Sequence, residues 1–169
     1  MAREIERKYL IRDETWRQAV ENRVLFRQGY LSDHRQGGKA SVRVRLHGDR
    51  GELNIKSLEL GISRQEYEYP IPSDEAREML DSLCQGPQIE KYRHWVKADG
   101  HVWEIDEFLG DNAGLVVAEV ELESESQSVQ RPDWLGGEVT HLERYYNVAL
   151  VRHPYSQWSV EEREARDAH

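Results

Sequence analysis

Glu4, Glu6 and Lys8 occupy alternate positions of the stretch Glu4-Ile5-Glu6-Arg7-Lys8. In a strand, period two places these three charges on one face and Ile5, Arg7 and Tyr9 on the other. A single strand of this kind reads equally well as an edge strand with one solvated face. The same parity recurs along the chain, however, in Arg43 and Arg45, Asn54 and Lys56, Arg64, Glu66 and Glu68, Lys91 and Arg93, Glu104 and Asp106, and Glu119, Glu121 and Glu123. Each set alternates with apolar or aromatic residues, and together with Glu4, Glu6 and Lys8 they put nine acids and seven bases on one face. Clustered carboxylates suit a hard divalent cation, and Arg and Lys supply charge-assisted donors for phosphate oxygens. A ligand that needs both is a polyphosphate with its metal ion. A set of mutually satisfied ion pairs is the alternative, disfavoured because buried ion pairs contribute little net stability compared with apolar packing.

The elements that must carry this face follow from the alternation. Strands are expected at about 3–11, 24–31, 41–47, 52–58, 64–71, 89–97, 101–108 and 115–123. Gly48-Asp49-Arg50-Gly51 and Ala98-Asp99-Gly100 read as turns, and the polar stretch 32–40, with Gly37-Gly38, as a mobile loop. Asp13 is placed to cap a short helix through Trp16, Ala19 and Val20. Ser73 is placed to cap another, with Ala76, Met79, Leu80 and Leu83 on its apolar side. Eight strands joined mostly by tight turns favour an antiparallel sheet closed into a barrel, an α+β fold with flanking helices. The apolar parity then packs outward against the helices, and the charged parity points into the lumen. Beyond Ser124 the chain reads as helical pieces around Trp134-Leu135 and Tyr145 to Val151, followed by a charged, exposed helix from Val160 to His169. The whole of 1–169 is expected to form one domain. The segment from about 124 is expected to pack on the barrel through Tyr145, Tyr146, Tyr155 and Trp158, and closure of one tunnel mouth is its sharper reading.

With 23 Lys and Arg against 32 Asp and Glu, the net charge of −9 argues against long nucleic acids and anionic membranes as partners. Cys84 is the only cysteine, so no internal disulfide forms and a reducing compartment fits. No long apolar run and no secretory signal is seen, which places the protein in the cytoplasm. The seven histidines form no zinc-binding spacing. Homodimer formation is left open.

Glu4-x-Glu6-x-Lys8 resembles the ExExK signature of the CYTH superfamily, the triphosphate tunnel metalloenzymes. The resemblance continues in order through Gln28-Gly29-Tyr30-Leu31, Val42-Arg43-Val44-Arg45, Asn54-Ile55-Lys56, Arg64-Gln65-Glu66-Tyr67-Glu68 and Lys91-Tyr92-Arg93. It runs on through Trp103-Glu104-Ile105-Asp106-Glu107-Phe108, Ala118-Glu119-Val120-Glu121-Leu122 and Trp134-Leu135-Gly136-Gly137-Glu138-Val139-Thr140. It implies an eight-stranded antiparallel tunnel for triphosphates and one or two divalent ions, Mg²⁺ or Mn²⁺. By the same resemblance, Glu4, Glu6, Glu119 and Glu121 match metal-site acids, and Lys8, Arg43, Arg45, Lys56, Lys91 and Arg93 match phosphate-binding bases. Glu66 and Asp106 match further tunnel acids, and the catalytic set expected is Lys8, Glu66, Lys91 and Asp106. The chain is most similar to the small single-domain prokaryotic members. The implied activity is hydrolysis of inorganic tripolyphosphate to pyrophosphate and phosphate. The alternatives are an adenylate cyclase of this type, a thiamine triphosphatase, or a non-catalytic polyphosphate or nucleotide receptor.

Overall fold

Alternation of charged and apolar side chains produces strands wherever it occurs, because each strand can give one face to an apolar layer and the other to the lumen. The computed structural model describes residues 2–32 and 37–169; of the loop expected over 32–40, residues 33–36 lie outside them. The strands are β1 (Arg3–Ile11), β2 (Val20–Tyr30), β3 (Ala40–His47), β4 (Arg50–Ser57), β5 (Ser63–Ile71), β6 (Gln85–Ala98), β7 (His101–Phe108), β8 (Val116–Glu121) and β9 (Leu135–Glu138). The helices are α1 (Ser73–Ser82), α2 (Asn147–Arg152) and α3 (Val160–Glu164).

The sheet order is β5-β4-β3-β2-β6-β7-β8-β1, and a further β1–β5 pairing closes the ring into an eight-stranded antiparallel barrel. Closure divides one edge of β1. Arg3 to Ile5 pair with β5, and farther along Tyr9 and Ile11 pair with β9, while Glu6 to Leu10 pair with β8 on the other side. The expected helical piece around Trp134-Leu135 is therefore a strand. Once β5 diverges, the edge of β1 would be left unpaired, and β9 covers it.

Two turns are tight for local reasons. Gly48 and Asp49 alone join β3 to β4, so Arg50 already pairs with His47 and β4 begins earlier than expected. Asp99 and Gly100 both take positive φ, 51° and 79°, which suits the twist of the β6–β7 hairpin. Ser73 is not the cap of α1. Pro72 holds that position without a side-chain hydrogen bond, and Ser73 opens the helix. Gly51 lets α1 approach β4, since a Cβ there would lie 2.8 Å from that of Ala76. The turn after Asp13 is a 3₁₀ segment, Thr15–Ala19, that buries Trp16 completely.

The hydrophobic core lies outside the barrel. One cluster gathers Tyr9, Trp16, Trp103 and Trp134, a second Ile89, Phe108, Tyr145, Leu150 and Trp158, and a third Val44, Ala76 and Leu80. α3 is shorter than the expected helix. Ser159 and Glu162 form its capping box, Ala165 in the left-handed region ends it, and His169 N donates to Glu138 O of β9 at 2.9 Å. No helix among the described residues is long and apolar enough to cross a membrane.

Candidate active site

A cavity of about 550 Å³ runs inside the barrel and is lined mainly by the charged parity. Its walls divide by sign. The adjacent strands β3, β2 and β6 contribute Arg43, Arg45, Lys91 and Arg93 and no carboxylate; β2 adds Phe26 and Tyr30. The facing strands β5, β1, β8 and β7 contribute Glu66, Glu68, Glu4, Glu6, Glu119, Glu121 and Glu104 against Arg64, Arg3 and Lys8, and β4 stands between with Glu52 and Lys56.

On the cationic wall, Lys91 is fully buried. Its Nζ donates to Asp106 Oδ2 at 2.7 Å and to Asn147 Oδ1 at 3.0 Å. Burial draws its pKa down to about 7, against the pull of Asp106. Arg93 holds Asp106 with a two-pronged contact at 2.8 and 2.9 Å and also pairs with Glu104. These carboxylates outweigh burial and keep it well above the usual guanidinium value. Asp106 thus lies behind Lys91 and Arg93 and orients both; it does not line the cavity. Arg43 is buried, makes no ion pair among the described residues, and leaves its Nε without a partner. Arg45 has only Glu52, at 3.8 Å, and its Nε is also unpartnered. Burial, then Arg43 and Arg93 beside it, pull Arg45 down to about 10.

The acidic wall is the mirror case. Lys8 Nζ donates to Glu119 Oε1 at 2.7 Å, and Lys8 with Arg93 holds that carboxylate, despite burial, well below the usual range. Lys56 Nζ lies 2.8 Å from Glu4 Oε2. Glu66 accepts from Asn54 Nδ2 at 2.7 Å, and Lys56 helps hold it low against burial. Glu6 has only Arg64, at 3.4 Å. Burial, then Glu119 and Glu4, push its pKa up to about 7. Glu121 makes no ion pair among the described residues and is raised by burial and by Glu104, Glu4 and Glu6.

No three carboxylate, imidazole or thiol groups among the described residues stand close enough together to hold an ion as the side chains sit. The donor set nevertheless fits a hard cation. Glu4, Glu6, Glu119 and Glu121 share one wall; burial and then mutual repulsion raise Glu6 and Glu121, and the repulsion is what a divalent ion would relieve.

All ten expected metal-site acids and phosphate-binding bases line this one cavity, as does Glu66. Glu123, counted on the charged face from its parity, lies beyond the end of β8, exposed and off the cavity wall. Alternation did not single out Glu52 and His47, which pair at 3.1 Å, or Tyr146 and Asn147. Tyr146, expected as a packing anchor, turns its ring toward Arg64 and Lys8, with its hydroxyl donating to Thr140 O at 2.7 Å. With Asn147 and Val148 it lines one end of the cavity, next to the buried Lys8 and Lys91. Glu68 and Glu121, which are exposed, mark the open end.

A closed antiparallel barrel with a charged, two-signed lumen defines a tunnel-type anion and cation site. The chain belongs to the CYTH domain family, whose profile matches residues 2–153. It is 46% identical over 158 residues to an inorganic triphosphatase of Acetivibrio thermocellus, covering 94% of this chain and 99% of the relative. It is 39% identical over 151 residues to an inorganic triphosphatase of Nitrosomonas europaea, covering 88% and 96%. Among solved structures, the crystal structure of an inorganic triphosphatase superposes with a TM-score of 0.65 at 34% identity, covering 89% of this chain and 95% of that one.

Proposed function

We propose that this chain is a divalent-metal-dependent inorganic triphosphatase that hydrolyses tripolyphosphate to pyrophosphate and phosphate inside the barrel. The observation that carries the reading is the pairing of weakly compensated charge across the lumen, Arg43 and Arg45 on one wall and Glu6 and Glu121 on the other. The two full-length relatives named inorganic triphosphatase support the choice of substrate.

Arg43, Arg45, Lys56, Lys91, Arg93 and Lys8 bind the phosphate oxygens and fix the chain of three phosphates in line. Glu4, Glu6, Glu119 and Glu121 would hold Mg²⁺ or Mn²⁺, which would supply neutralisation of the charge on the phosphate oxygens. Glu66 is oriented by Asn54 through Oε1 and has Lys56 Nζ 3.8 Å from Oε2, the oxygen that aligns the attacking water and takes its proton. The water oxygen bonds to the terminal phosphorus as the bridging P–O bond breaks, and the electron pair leaves on pyrophosphate. Lys91 and Arg93, fixed by Asp106, stabilise the charge that develops there. The free, partly buried thiol of Cys84 suits a cytoplasmic setting.

Purified protein offered tripolyphosphate and ATP in parallel, with Mg²⁺ or Mn²⁺, tests the reading. Metal-dependent release of phosphate and pyrophosphate from tripolyphosphate, with little turnover of ATP, is expected. Cyclic AMP and pyrophosphate from ATP, or no turnover of tripolyphosphate, would overturn it.

A further inference from the structure

Asn147 opens α2, far in sequence from every strand of the barrel, yet its side chain reaches the most buried cation of the lumen. Its Oδ1 accepts from Lys91 Nζ at 3.0 Å and from Gln28 Nε2 at 3.0 Å. Lys91 Nζ donates here as it does to Asp106, so the amide atom that faces it is the oxygen. The nitrogen Nδ2 is then the atom left over. It donates to no group among the described residues, and Asn147 is partly exposed on the cavity wall. Gln28, the other fully buried partner, keeps the amide from rotating. A neutral amide thus presents two N–H donors beside Lys91 on the cavity wall.

We propose that Asn147 is a substrate-binding residue that donates from Nδ2 to a phosphoryl oxygen of the bound triphosphate at the end of the tunnel lined by α2. The inference rests on the reading of the lumen as a triphosphate site and adds a contact from outside the barrel strands. Asn147 also places Lys91 through Oδ1, and the test must separate the two roles.

A double-mutant cycle does so, read as tripolyphosphate affinity by titration calorimetry in metal-free buffer and as KM in the hydrolysis assay. Asn147→Leu removes the donor without adding charge and should weaken tripolyphosphate binding roughly 10- to 100-fold, the worth of one hydrogen bond to a charged group. The same loss should persist when Asn147→Leu is placed on Lys91→Met. No further loss in that background would mean that Asn147 acts only through Lys91, and the inference would be overturned. Asn147→Ala and Asn147→Ser are compared in the same Lys91→Met background, where the serine hydroxyl has no ammonium to accept from. Serine, which keeps a donor, should recover part of the affinity that alanine loses, and equal affinities would also overturn the contact. Binding that depends on Asn147 in a protein that does not hydrolyse tripolyphosphate would uphold the contact while sinking the proposed reaction. Absence of tripolyphosphate binding to the unaltered protein would sink both.

Discussion

The cationic and acidic walls of the tunnel are alike in one respect that their opposite signs conceal. Each contains charges tied into close pairs and charges left almost alone. Lys91 and Arg93 are pinned by Asp106, and Glu119 is pinned by Lys8. Arg43 and Glu121 make no ion pair among the described residues, Arg45 has only Glu52 at 3.8 Å, and Glu6 has only Arg64 at 3.4 Å. The paired groups resemble the interior ion pairs of any protein, costly to break singly. The unpaired groups cost stability as they stand and make sense only with a ligand of the opposite sign. Charges already satisfied within the fold and charges left for the ligand therefore share one lumen, and substitutions should separate their effects on stability.

The largest effect on stability should come from a paired group. Glu119→Ala leaves Lys8 buried without its acceptor and should destabilise the fold by roughly 3–5 kcal/mol, read by denaturant unfolding. A loss below about 1 kcal/mol, the scale of an exposed pair, would erase the distinction. Glu6→Gln should lower metal-dependent turnover roughly 100-fold or more, the scale of removing one electrostatic group from a reacting centre, while the unfolding midpoint stays level or rises. A variant that is both active and less stable would place Glu6 among the structural charges. Arg43→Leu should raise the KM for tripolyphosphate roughly 10- to 100-fold without lowering stability. An unchanged KM would remove Arg43 from the substrate site.

The smallest effect concerns pH. Glu68 is pushed up to about 7 by burial and by its hydrogen-bonded neighbour Glu52. Its folded-state pKa lies above the unfolded value, so the folded protein binds the extra proton between about pH 4.5 and 7, and the group's stabilising contribution is lost as pH rises through that window. Stability curves of the parent and of Glu68→Gln should diverge across it, with the parent losing ground toward pH 7. Parallel curves would show that Glu68 titrates normally.

Much of this was legible in the sequence because period two is local: any strand that alternates Glu4, Glu6 and Lys8 with Ile5 and Tyr9 declares its two faces. The division of the lumen into walls was not legible. It depends on β6 lying beside β2, a pairing between strands distant in sequence, from Tyr30 with Gln85 to Val20 with Val96, which gathers Arg43, Arg45, Lys91 and Arg93 on one side. Asn147 and Tyr146 were hidden for another reason: they reach the cavity from a short helix and its preceding residue, where strand parity carries no information. β9 was misread as helical because Leu135-Gly136-Gly137-Glu138 has no alternation, and its pairing is dictated by the exposed edge of β1. Parity alone also carried Glu123 onto the charged face, although the strand ends at Glu121 before reaching it.

The most direct test of divided labour is a crystal structure with Mn²⁺ and tripolyphosphate, with the metal located by its anomalous signal. The account predicts manganese against Glu4, Glu6, Glu119 and Glu121, with the phosphates spanning to Arg43, Arg45, Lys91 and Arg93. Manganese bound elsewhere, or phosphates lying off the cationic wall, would contradict it.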